Sequence, residues 1–376
     1  MIEWLLRVKA VSPLALHAER ASSQFARAVP YVPGSSLRGA LADVYLKTGT
    51  KDADFCRLFM SEACLFPNLY PCDKWSGEES VPLPATARAC KRFKAKHLSS
   101  LTDALLPTQF ADEPARKKWE LCPAPECKGN NARDRLEGFH PATDIRHVIK
   151  PRTRTVVGTS ILRVTQAVAS GQLFSHTVIE EGTRFSGRIL LADASLADRL
   201  RDLLLHTTLR VGYGRTRGMG QLEFEELDES APARLPTVAE RLDKFNATIR
   251  QVAGQAIQDR YAAITLESDV LLRDDLLRPV TGLGDGKLFG LEGAELVRTF
   301  VVPALALGWN AAQSLPKPDM PGLGRGSVFL FKLNSPTEEN RLAAIEVEGI
   351  GERRAEGFGR VRVCDPFHYE FFAGGL

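Results

Sequence analysis

The hydrophobic residues of the chain recur at the spacings of short strands and of amphipathic helices. Alternation or β-branched content predicts strands at residues 2–8, 147–157, 173–179, 185–192, 221–225 and 360–363. Apolar residues at helical spacing predict helices at residues 37–47, 196–206, 238–258 and 338–345. In both halves of the chain a helix is followed by a glycine-rich loop and then by a strand, so the two halves share one local arrangement.

These two glycine-rich loops have matching compositions. The first loop, residues 210–220, reads RVGYGRTRGMG, and the second loop, residues 349–359, reads GIGERRAEGFG. Each contains two Gly-x-Gly pairs, separated by three residues in the first loop and by five in the second. Glycine permits positive φ and close backbone approach, while exposed amides and adjacent arginines suit phosphate oxygens. The loops therefore predict phosphate binding; the alternative is a tight helix-to-strand connection with solvated arginines.

Several familiar phosphate and metal motifs are absent from the sequence. Gly212-x-Gly214 lacks a glycine three residues further on and precedes a predicted strand, whereas a dinucleotide fingerprint requires a helix there. The chain has no Gly-x4-Gly-Lys-Ser/Thr loop and no His-Glu-x-x-His pair. Dinucleotide binding, nucleotide hydrolysis and zincin proteolysis are therefore unsupported.

A second candidate anion contact lies where the first predicted helix begins, in the sequence PGSSLRG at residues 33–39. Ser35 or Ser36 is expected to cap this helix by accepting hydrogen bonds from its first amides. Arg38 then lies near the positive end of the helix, where a cation gains nothing from the helix dipole. This placement favours an anion contact for Arg38.

Residues 72–141 lose the strong periodicity of the flanking segments, apart from a possible short helix near residues 98–106, and are predicted to be an insertion. The insertion contains Cys90, His97, Cys122 and Cys127, with the spacings C-x6-H and C-x4-C. Three thiolates and one imidazole would form a closed structural zinc site, which would supply folding energy to a segment with little core. His140 is an alternative fourth ligand, and buried or free thiols are the alternative to zinc.

The composition is that of an ordinary globular protein, and the net charge is too small to indicate a binding partner. The chain has 376 residues, 44% of them hydrophobic, with 49 Lys and Arg against 46 Asp and Glu, a net charge of +3. No apolar run is long enough to cross a membrane, and Glu3, Arg7 and Lys9 interrupt the first apolar segment, so a cytoplasmic location is expected. Basic residues nevertheless cluster at residues 88–97, 146–154, 210–217 and 353–362, as in proteins that bind phosphate backbones.

The two loops, the PGSSLRG helix start and the sequence GTRFSG at residues 182–187 resemble the RAMP superfamily of CRISPR systems. The cysteine-containing insertion and the sequence SDVLLRD at residues 268–274 most resemble the Csx-ten subunit of type III-D effectors. The resemblance implies an α+β fold of two ferredoxin-like, RRM-like domains. We expect an N-terminal RAMP domain at residues 1–227, a linker and helix at 228–260, and a C-terminal RAMP-like domain at 261–376 with little helix near its start.

The resemblance also implies a Cas-five-like role in which the protein holds the 5′ tag of CRISPR RNA. It would contact a Cas-ten-type large subunit, Cas-seven-type backbone subunits and target RNA, and would not itself be an enzyme. Tyr213 and Phe358 would stack on bases or else pack in the core. The predicted RNA-binding residues are Ser35, Ser36, Arg38, Gly212, Tyr213, Gly214, Arg215, Arg217, Gly218, Gly351, Arg353, Arg354, Gly357, Phe358 and Gly359.

Two other functions remain open at this point. An endoribonuclease of the same superfamily would use a general base, and the candidates are His147, His176, Asp43, Asp269 and Asp274. None of these residues has a catalytic partner in the sequence. A protein-interaction module would instead use the arginines to bind acidic partners.

Overall fold

The computed structural model describes residues 2–17, 25–72, 79–93, 101–141, 147–161, 164, 168–205, 208–230, 235–254, 257–310 and 313–371. Up to residue 228 the strands are β1 (Ile2–Ala10), β2 (Phe25–Ala26), β3 (Cys64–Leu65), β4 (Tyr70–Pro71), β5 (Ser80–Pro82), β6 (Ala87–Cys90), β7 (Thr102–Asp103), β8 (Arg133–Arg135), β9 (Phe139–Pro141), β10 (Thr153–Ile161), β11 (Val168–Ile179), β12 (Arg184–Leu191), β13 (Leu209–Arg210) and β14 (Gln221–Asp228). The helices are α1 (Gly34–Thr48), α2 (Ala53–Phe59), α3 (Leu105–Phe110), α4 (Glu113–Trp119) and α5 (Ala197–Leu205).

Beyond residue 228 the strands are β15 (Arg260–Leu266), β16 (Glu295–Phe300), β17 (Pro303–Ala306), β18 (Trp309–Asn310), β19 (Leu315–Pro316), β20 (Met320–Leu323), β21 (Val328–Leu333) and β22 (Val361–Val363). The helices of this part are α6 (Val238–Ala253), α7 (Pro336–Glu348) and α8 (Phe367–Glu370). Helix α6 begins with a capping box of Thr237 and Glu240. It ends at Ala253, before the predicted end at residue 258, because Gly254 adopts the left-handed conformation.

The first lobe, which we define by the six-stranded sheet and its helices, has the strand order of a ferredoxin-like fold. The sheet runs β13-β14-β1-β12-β3, and β4 also pairs with β12. Along the chain, β1 is followed by α1 and α2, then β3 and β4, then β12, α5 and β14. This is the βαββαβ order, with the first strand, β1, lying between the last, β14, and the third, β12. The core lies between this sheet and α1, α2 and α5.

The second lobe, defined by the four-stranded sheet β16-β21-β15-β22, repeats this order with one helix missing. Strands β15, β16, β21 and β22 correspond to β1, β3, β12 and β14, and α7 lies between the last two. The stretch between β15 and β16, which is described throughout, has no helix apart from the 3₁₀ turn Lys287–Phe289. The paucity of helix expected near the start of the second half is therefore confirmed.

The insertion has more regular structure than its weak periodicity predicts. Strands β7, β6 and β8 form a sheet, and β5 pairs with β9. Of the short helix expected near residues 98–106, the described residues include β7 at Thr102–Asp103, where the prediction is wrong, and the first turn of α3, which begins at Leu105. Short strands paired through distant residues leave no repeating pattern in the sequence, which explains why they were missed.

Although the insertion lies between first-lobe elements in sequence, it packs on the second lobe. Leu105 and Leu106 belong to the second-lobe core, and the insertion core includes Phe367 of α8. The buried imidazole of His368 lies between the Asp103 carboxylate, 3.3 Å from Nδ1, and the Thr265 hydroxyl, 2.7 Å from Nε2. The polar contacts made by His368 therefore join the insertion to β15 and α8.

Two other predicted details are wrong. Residues 147–152 precede β10, because the strand begins at Thr153, where β10 starts to pair with β11. Helix α1 has Pro33 as its N-cap residue, and no side chain caps it. Ser35 and Ser36 lie inside its first turn, so neither is the predicted cap.

Candidate nucleic-acid interface

The two glycine loops are closed by equivalent backbone hydrogen bonds. In the first loop the Val211 amide donates to the Gly220 carbonyl over 2.8 Å, and in the second the Ile350 amide donates to the Gly359 carbonyl over 2.9 Å. Each loop closes on itself through this bond and contains a 3₁₀ turn, Arg215–Arg217 or Arg354–Glu356. The similar compositions therefore encode similar backbones.

Each loop is also fixed in the same way to the segment after the first strand of its lobe. The Tyr213 amide donates to the Ala15 carbonyl over 2.9 Å, and the Glu352 amide donates to the Leu271 carbonyl over 2.9 Å. The hydroxyls of Ser12 and Ser268 accept from the amides that follow the loops, at 2.9 and 2.8 Å. The paired sequences SPLALH (residues 12–17) and SDVLLR (residues 268–273) form an internal repeat that sequence reasoning missed.

The glycines of the loops adopt the positive φ that their sequence predicts. Gly220 and Gly359 have φ of 85° and 83°, and a Cβ at either position would overlap the carbonyl oxygen of Val211 or Ile350. An L-residue is disfavoured there both by conformation and by space. These glycines close the loops and bring no side chain to a ligand.

Several loop amides are already occupied, which shifts the candidate phosphate contacts to side chains. In the first loop the amides of Val211, Tyr213, Arg217 and Gly220 all donate to backbone carbonyls. Fewer main-chain amides of this loop are therefore available to contact phosphate than the sequence predicts. The guanidinium groups are the main remaining candidates.

The first loop presents its arginines to solvent. Arg210, Arg215 and Arg217 are exposed, and Arg210 donates to the carbonyl of Arg215 over 2.9 Å. Within the described part of the chain these three guanidinium groups have no carboxylate partner. Tyr213 beside them is 50% exposed, so its ring is accessible for stacking and is not a core residue.

The arginines of the second loop are paired with acidic residues. Arg353 donates to the Glu356 carboxylate over 2.6 Å, and Arg354 is paired with Glu62 of the first lobe. Lys317 also reaches Glu356, at 2.8 Å. These cations outweigh the effect of burial and hold the pKa of Glu356 below its usual value. Phe358 lies under the Arg353 guanidinium, 4.7 Å from it.

The predicted anion site at the start of α1 is occupied by the second loop. Asn68 accepts from the Gly34 amide over 2.8 Å and donates to the Gly357 carbonyl over 3.0 Å. Arg38 reaches Glu356 at 3.5 Å and donates to the Phe59 carbonyl. Arg38 is therefore a contact between the lobes, and Asn68 is an organising residue that sequence reasoning missed.

A cavity of about 840 Å³ lies between the lobes and close to both loops. Phe358 of the second loop lines it, and so does His17, whose ring lies 5.9 Å from that of Tyr213 in the first loop. Arg27, Tyr31 and Arg325 are further lining residues that the sequence analysis did not single out, and Lys150, also in the lining, belongs to the basic cluster at residues 146–154. Such a site is built by tertiary structure, and the sequence hints at it only through the repeat at residues 12–17 and the basic cluster at residues 146–154.

Two histidines meet beside the first loop. The rings of His17 and His176 are 5.3 Å apart, and the Nε2 atom of each is buried without a hydrogen-bond partner among the described residues. Burial, together with the neighbouring His176, lowers the pKa of His17. His147 is exposed and lies in a different cavity, while Asp269 and Asp274 bind backbone amides in the second lobe.

Three of the predicted zinc ligands come together in the insertion. Cys90, Cys122 and Cys127 are buried, and their sulfur atoms all lie within 4.8 Å of one another, with 3.5 Å between Cys90 and Cys127. A tetrahedral site with ~2.3 Å zinc–sulfur bonds places its sulfurs about 3.8 Å apart, so the cluster fits a metal ion. Burial opposes ionisation of Cys90, but hydrogen bonds led by the Phe93 amide lower its pKa.

The structure describes only one of the two candidates for the fourth zinc ligand. His97 lies outside the described residues. His140 is not part of the cysteine cluster: it lies on β9, its Nδ1 is 2.8 Å from the Pro141 carbonyl oxygen, and its ring packs 5.9 Å from Phe367. The alternative with His140 as ligand is therefore wrong, because β9 belongs to a different sheet from β6, the strand that carries Cys90.

Comparison with known proteins places this architecture in a family. The model of the RAMP superfamily matches residues 7–223, more than half of the chain. The chain belongs to the RAMP superfamily. No curated protein matches it. The described residues of this RAMP protein contain no helix that is long and apolar enough to cross a membrane.

Solved structures similar to this RAMP protein include chains of the type III-B Cmr-beta complex. One, bound to cognate target RNA and AMPPnP, is 16% identical, with coverage of 92% of this chain and 89% of that chain and a TM-score of 0.45. Another, bound to cognate target RNA, is 17% identical, with coverages of 87% and 86% and a TM-score of 0.43. A Cas6 product complex is 14% identical, with coverages of 49% and 78% and a TM-score of 0.29.

Proposed function

We propose that this RAMP protein is an RNA-binding structural subunit of a type III CRISPR effector complex, in the Cas-five-like position and of the Csx-ten kind. The observation that carries the proposal is the pair of glycine loops with one backbone design, of which the first presents three arginines that have no acidic partner among the described residues. Cations of this kind bind a phosphate backbone independently of sequence. The exposed ring of Tyr213 adds a surface on which a base can stack.

In this proposal the protein holds the 5′ tag of CRISPR RNA and contacts a Cas-ten-type large subunit and Cas-seven-type backbone subunits, with target RNA paired to the guide. The test is binding of the purified protein to a repeat-derived RNA that carries the tag and to the same RNA without it. We expect tighter binding of the tagged RNA and a logarithmic affinity that falls linearly with the logarithm of salt concentration. Absence of RNA binding at low salt would contradict the proposal.

The cysteine cluster would hold a structural zinc ion, with Cys90, Cys122 and Cys127 as thiolate ligands and His97 as the expected fourth. The ion would join β6 to the turn that contains Cys127 and so stabilise the insertion. Elemental analysis should find about one zinc per chain, lost in Cys122→Ser/Cys127→Ser with a lower melting temperature. The control is Cys56→Ser, because Cys56 is exposed and outside the cluster. A wild-type protein without zinc would contradict this assignment.

A second candidate function, metal-independent RNA cleavage, is favoured by the His17–His176 pair. One neutral imidazole would take the proton of a ribose 2′-OH, whose oxygen attacks the adjacent phosphorus to form a 2′,3′-cyclic phosphate. The other, as imidazolium, would protonate the departing 5′ oxygen. The lowered pKa of His17 suits it to the role of base at neutral pH.

This candidate is tested by incubating the protein with labelled tag RNA and with target RNA in EDTA. Site-specific cleavage should be lost in His17→Ala and in His176→Ala and kept in His147→Ala, which changes an exposed histidine outside the pair. Intact RNA after prolonged incubation, or cleavage that survives both substitutions, would exclude the pair as a catalytic site and leave the structural role.

A further inference from the structure

The cavity between the lobes has the size and position of a ligand site. Its volume of about 840 Å³ falls within the range of ~300–1,000 Å³ that is usual for small-molecule sites. Residues 27–33 of the first lobe, 135–139 of the insertion and 302–307 of the second lobe contribute to its walls. The cavity therefore exists only because three separate parts of the chain meet.

Its charged lining leaves two cations available to a ligand. Arg135 is 3.6 Å from Glu137, and Arg325 is 3.6 Å from Asp269, so each of the two acids in the lining has a cationic neighbour. The remaining lining cations, Arg27 and Lys150, are exposed and have no carboxylate partner within the described ranges. An anionic group between them would be stabilised without displacing an existing ion pair.

Planar groups occur beside these cations. The guanidinium of Arg325 lies 4.5 Å from the ring centre of Tyr31, and the Tyr31 ring is backed by Tyr70 at 5.5 Å. Burial raises the pKa of Tyr31 to about 12, so its hydroxyl stays neutral at physiological pH. Phe358 brings a second aromatic ring, partly exposed, to the cavity wall. Rings and guanidinium planes of this kind stack on nucleobases regardless of sequence.

The position of the cavity relative to the loops identifies what enters it. Phe358 belongs to the second loop, and His17 packs against Tyr213 of the first, so a strand that touches both loops passes the cavity. We infer that the cavity takes up one nucleotide unit, with its phosphate held by Arg27 and Lys150 and its base stacked on the Arg325 guanidinium or the Phe358 ring, because the Tyr31 ring itself is buried. This inference rests on the proposed RNA-binding function and extends it to residues outside the loops.

The experiment uses full-length protein and tag RNAs in which 2-aminopurine replaces one nucleotide at a time. Uptake of one unit should change the fluorescence at a single position by severalfold, with small changes elsewhere. Arg27→Gln/Lys150→Gln should abolish that change and weaken RNA binding about tenfold. The matched control Lys51→Gln/Arg250→Gln removes two exposed cations outside the cavity lining and should behave as wild type. Circular dichroism melting checks that both double variants are folded.

A second arm separates a nucleotide of the bound strand from a free nucleotide. Adenosine monophosphate is titrated into the complex while both 2-aminopurine fluorescence and RNA retention are followed. Loss of the fluorescence change with the RNA still bound would show that free nucleotides enter the same cavity; an unaffected signal would assign it to the strand alone. Either result, if sensitive to Arg27→Gln/Lys150→Gln, supports the inference.

The failures of the two proposals give different results. RNA that binds normally but shows no position-specific fluorescence change would overturn the cavity inference and leave the RNA-binding proposal in place. Failure to bind any RNA would overturn the proposed function. In that case, equilibrium dialysis with labelled adenosine monophosphate tests whether the cavity binds a nucleotide. Binding by the wild type that is lost in Arg27→Gln/Lys150→Gln would support a nucleotide site, and absence of binding by the wild type would exclude it.

Discussion

The two glycine loops are closed by equivalent hydrogen bonds but have opposite electrostatic surroundings. In the first loop Arg215 and Arg217 face solvent, and no carboxylate pairs with them among the described residues. In the second loop Arg353 is paired with Glu356, and Arg354 with Glu62 of the other lobe. One backbone design therefore serves an open basic surface in one lobe and a joint between lobes in the other.

This difference shows that loop composition alone does not specify a binding site. A guanidinium that already has a carboxylate partner must lose that partner before it can contact phosphate, whereas an exposed one loses only water. We therefore expect the first loop to contribute most to RNA affinity and the second to contribute most to stability. The RNA contacts predicted for Arg353 and Arg354 remain predictions, and the ion pairs of both residues oppose such contacts.

The largest effect is expected from the acid at the centre of the second loop. Glu356→Ala should lower the free energy of unfolding by about 3 kcal/mol, because it leaves the cations Arg353, Lys317 and Arg38 without their largely buried partner. Denaturant unfolding measures this change. Glu62→Ala is the control, since its ion pair with Arg354 is half exposed and should be worth under ~1 kcal/mol. Equal losses in the two variants would contradict the role assigned to Glu356.

The next effect tests whether the two backbones are equivalent. Gly220→Ala and Gly359→Ala should each cost about 2–3 kcal/mol, because an L-residue is disfavoured at their φ and the added Cβ overlaps a carbonyl oxygen. Gly218→Ala, also at positive φ but in open space, should cost only ~1 kcal/mol. Thermal unfolding compares the three variants. A clear inequality between Gly220→Ala and Gly359→Ala would break the equivalence of the loops.

A smaller effect separates the loops by function. Arg215→Gln/Arg217→Gln should weaken RNA binding about tenfold at physiological salt and reduce the salt slope by about 1.4, for two phosphate contacts on a single strand. The melting temperature should not change. Arg353→Gln/Arg354→Gln should instead lower the melting temperature and change RNA affinity less. Filter binding over a range of salt concentrations gives both quantities, and a larger affinity loss in the second pair would reverse the assignment.

The smallest effect is the pH dependence of the second loop. The pKa of Glu356 is lowered because its cationic partners outweigh burial, so the ionised form stabilises the folded state. This contribution is fully present above the unfolded pKa of about 4.3 and is lost as pH falls through the lower folded value. The stability gap between wild type and Glu356→Gln should be constant from pH 7 to about 5 and should then close. A gap unchanged at pH 3 would contradict this account.

The extent to which the sequence predicts the site differs from residue to residue. Positive φ at Gly212, Gly214, Gly351 and Gly357 follows from local composition, and the structure confirms it. The proximity of Cys122 to Cys127 follows from their C-x4-C spacing, whereas Cys90, 37 residues from Cys127, joins them only in the folded structure. Arg38 and Ser35 illustrate the limit: a helix start was predicted as an anion site, but the second loop of the other lobe packs there and satisfies it.

The sequence by itself determined the main strands and helices and the shape of each glycine loop, because each depends on neighbours a few residues away. Only the tertiary structure decided which loop keeps its arginines exposed, where the insertion packs and that a cavity lies between the lobes. Arg354 and Glu62 are 292 residues apart in the sequence, and Asp103 and His368 are also far apart in the sequence. Such pairs follow from how the two lobes pack, and local periodicity carries no information about that packing.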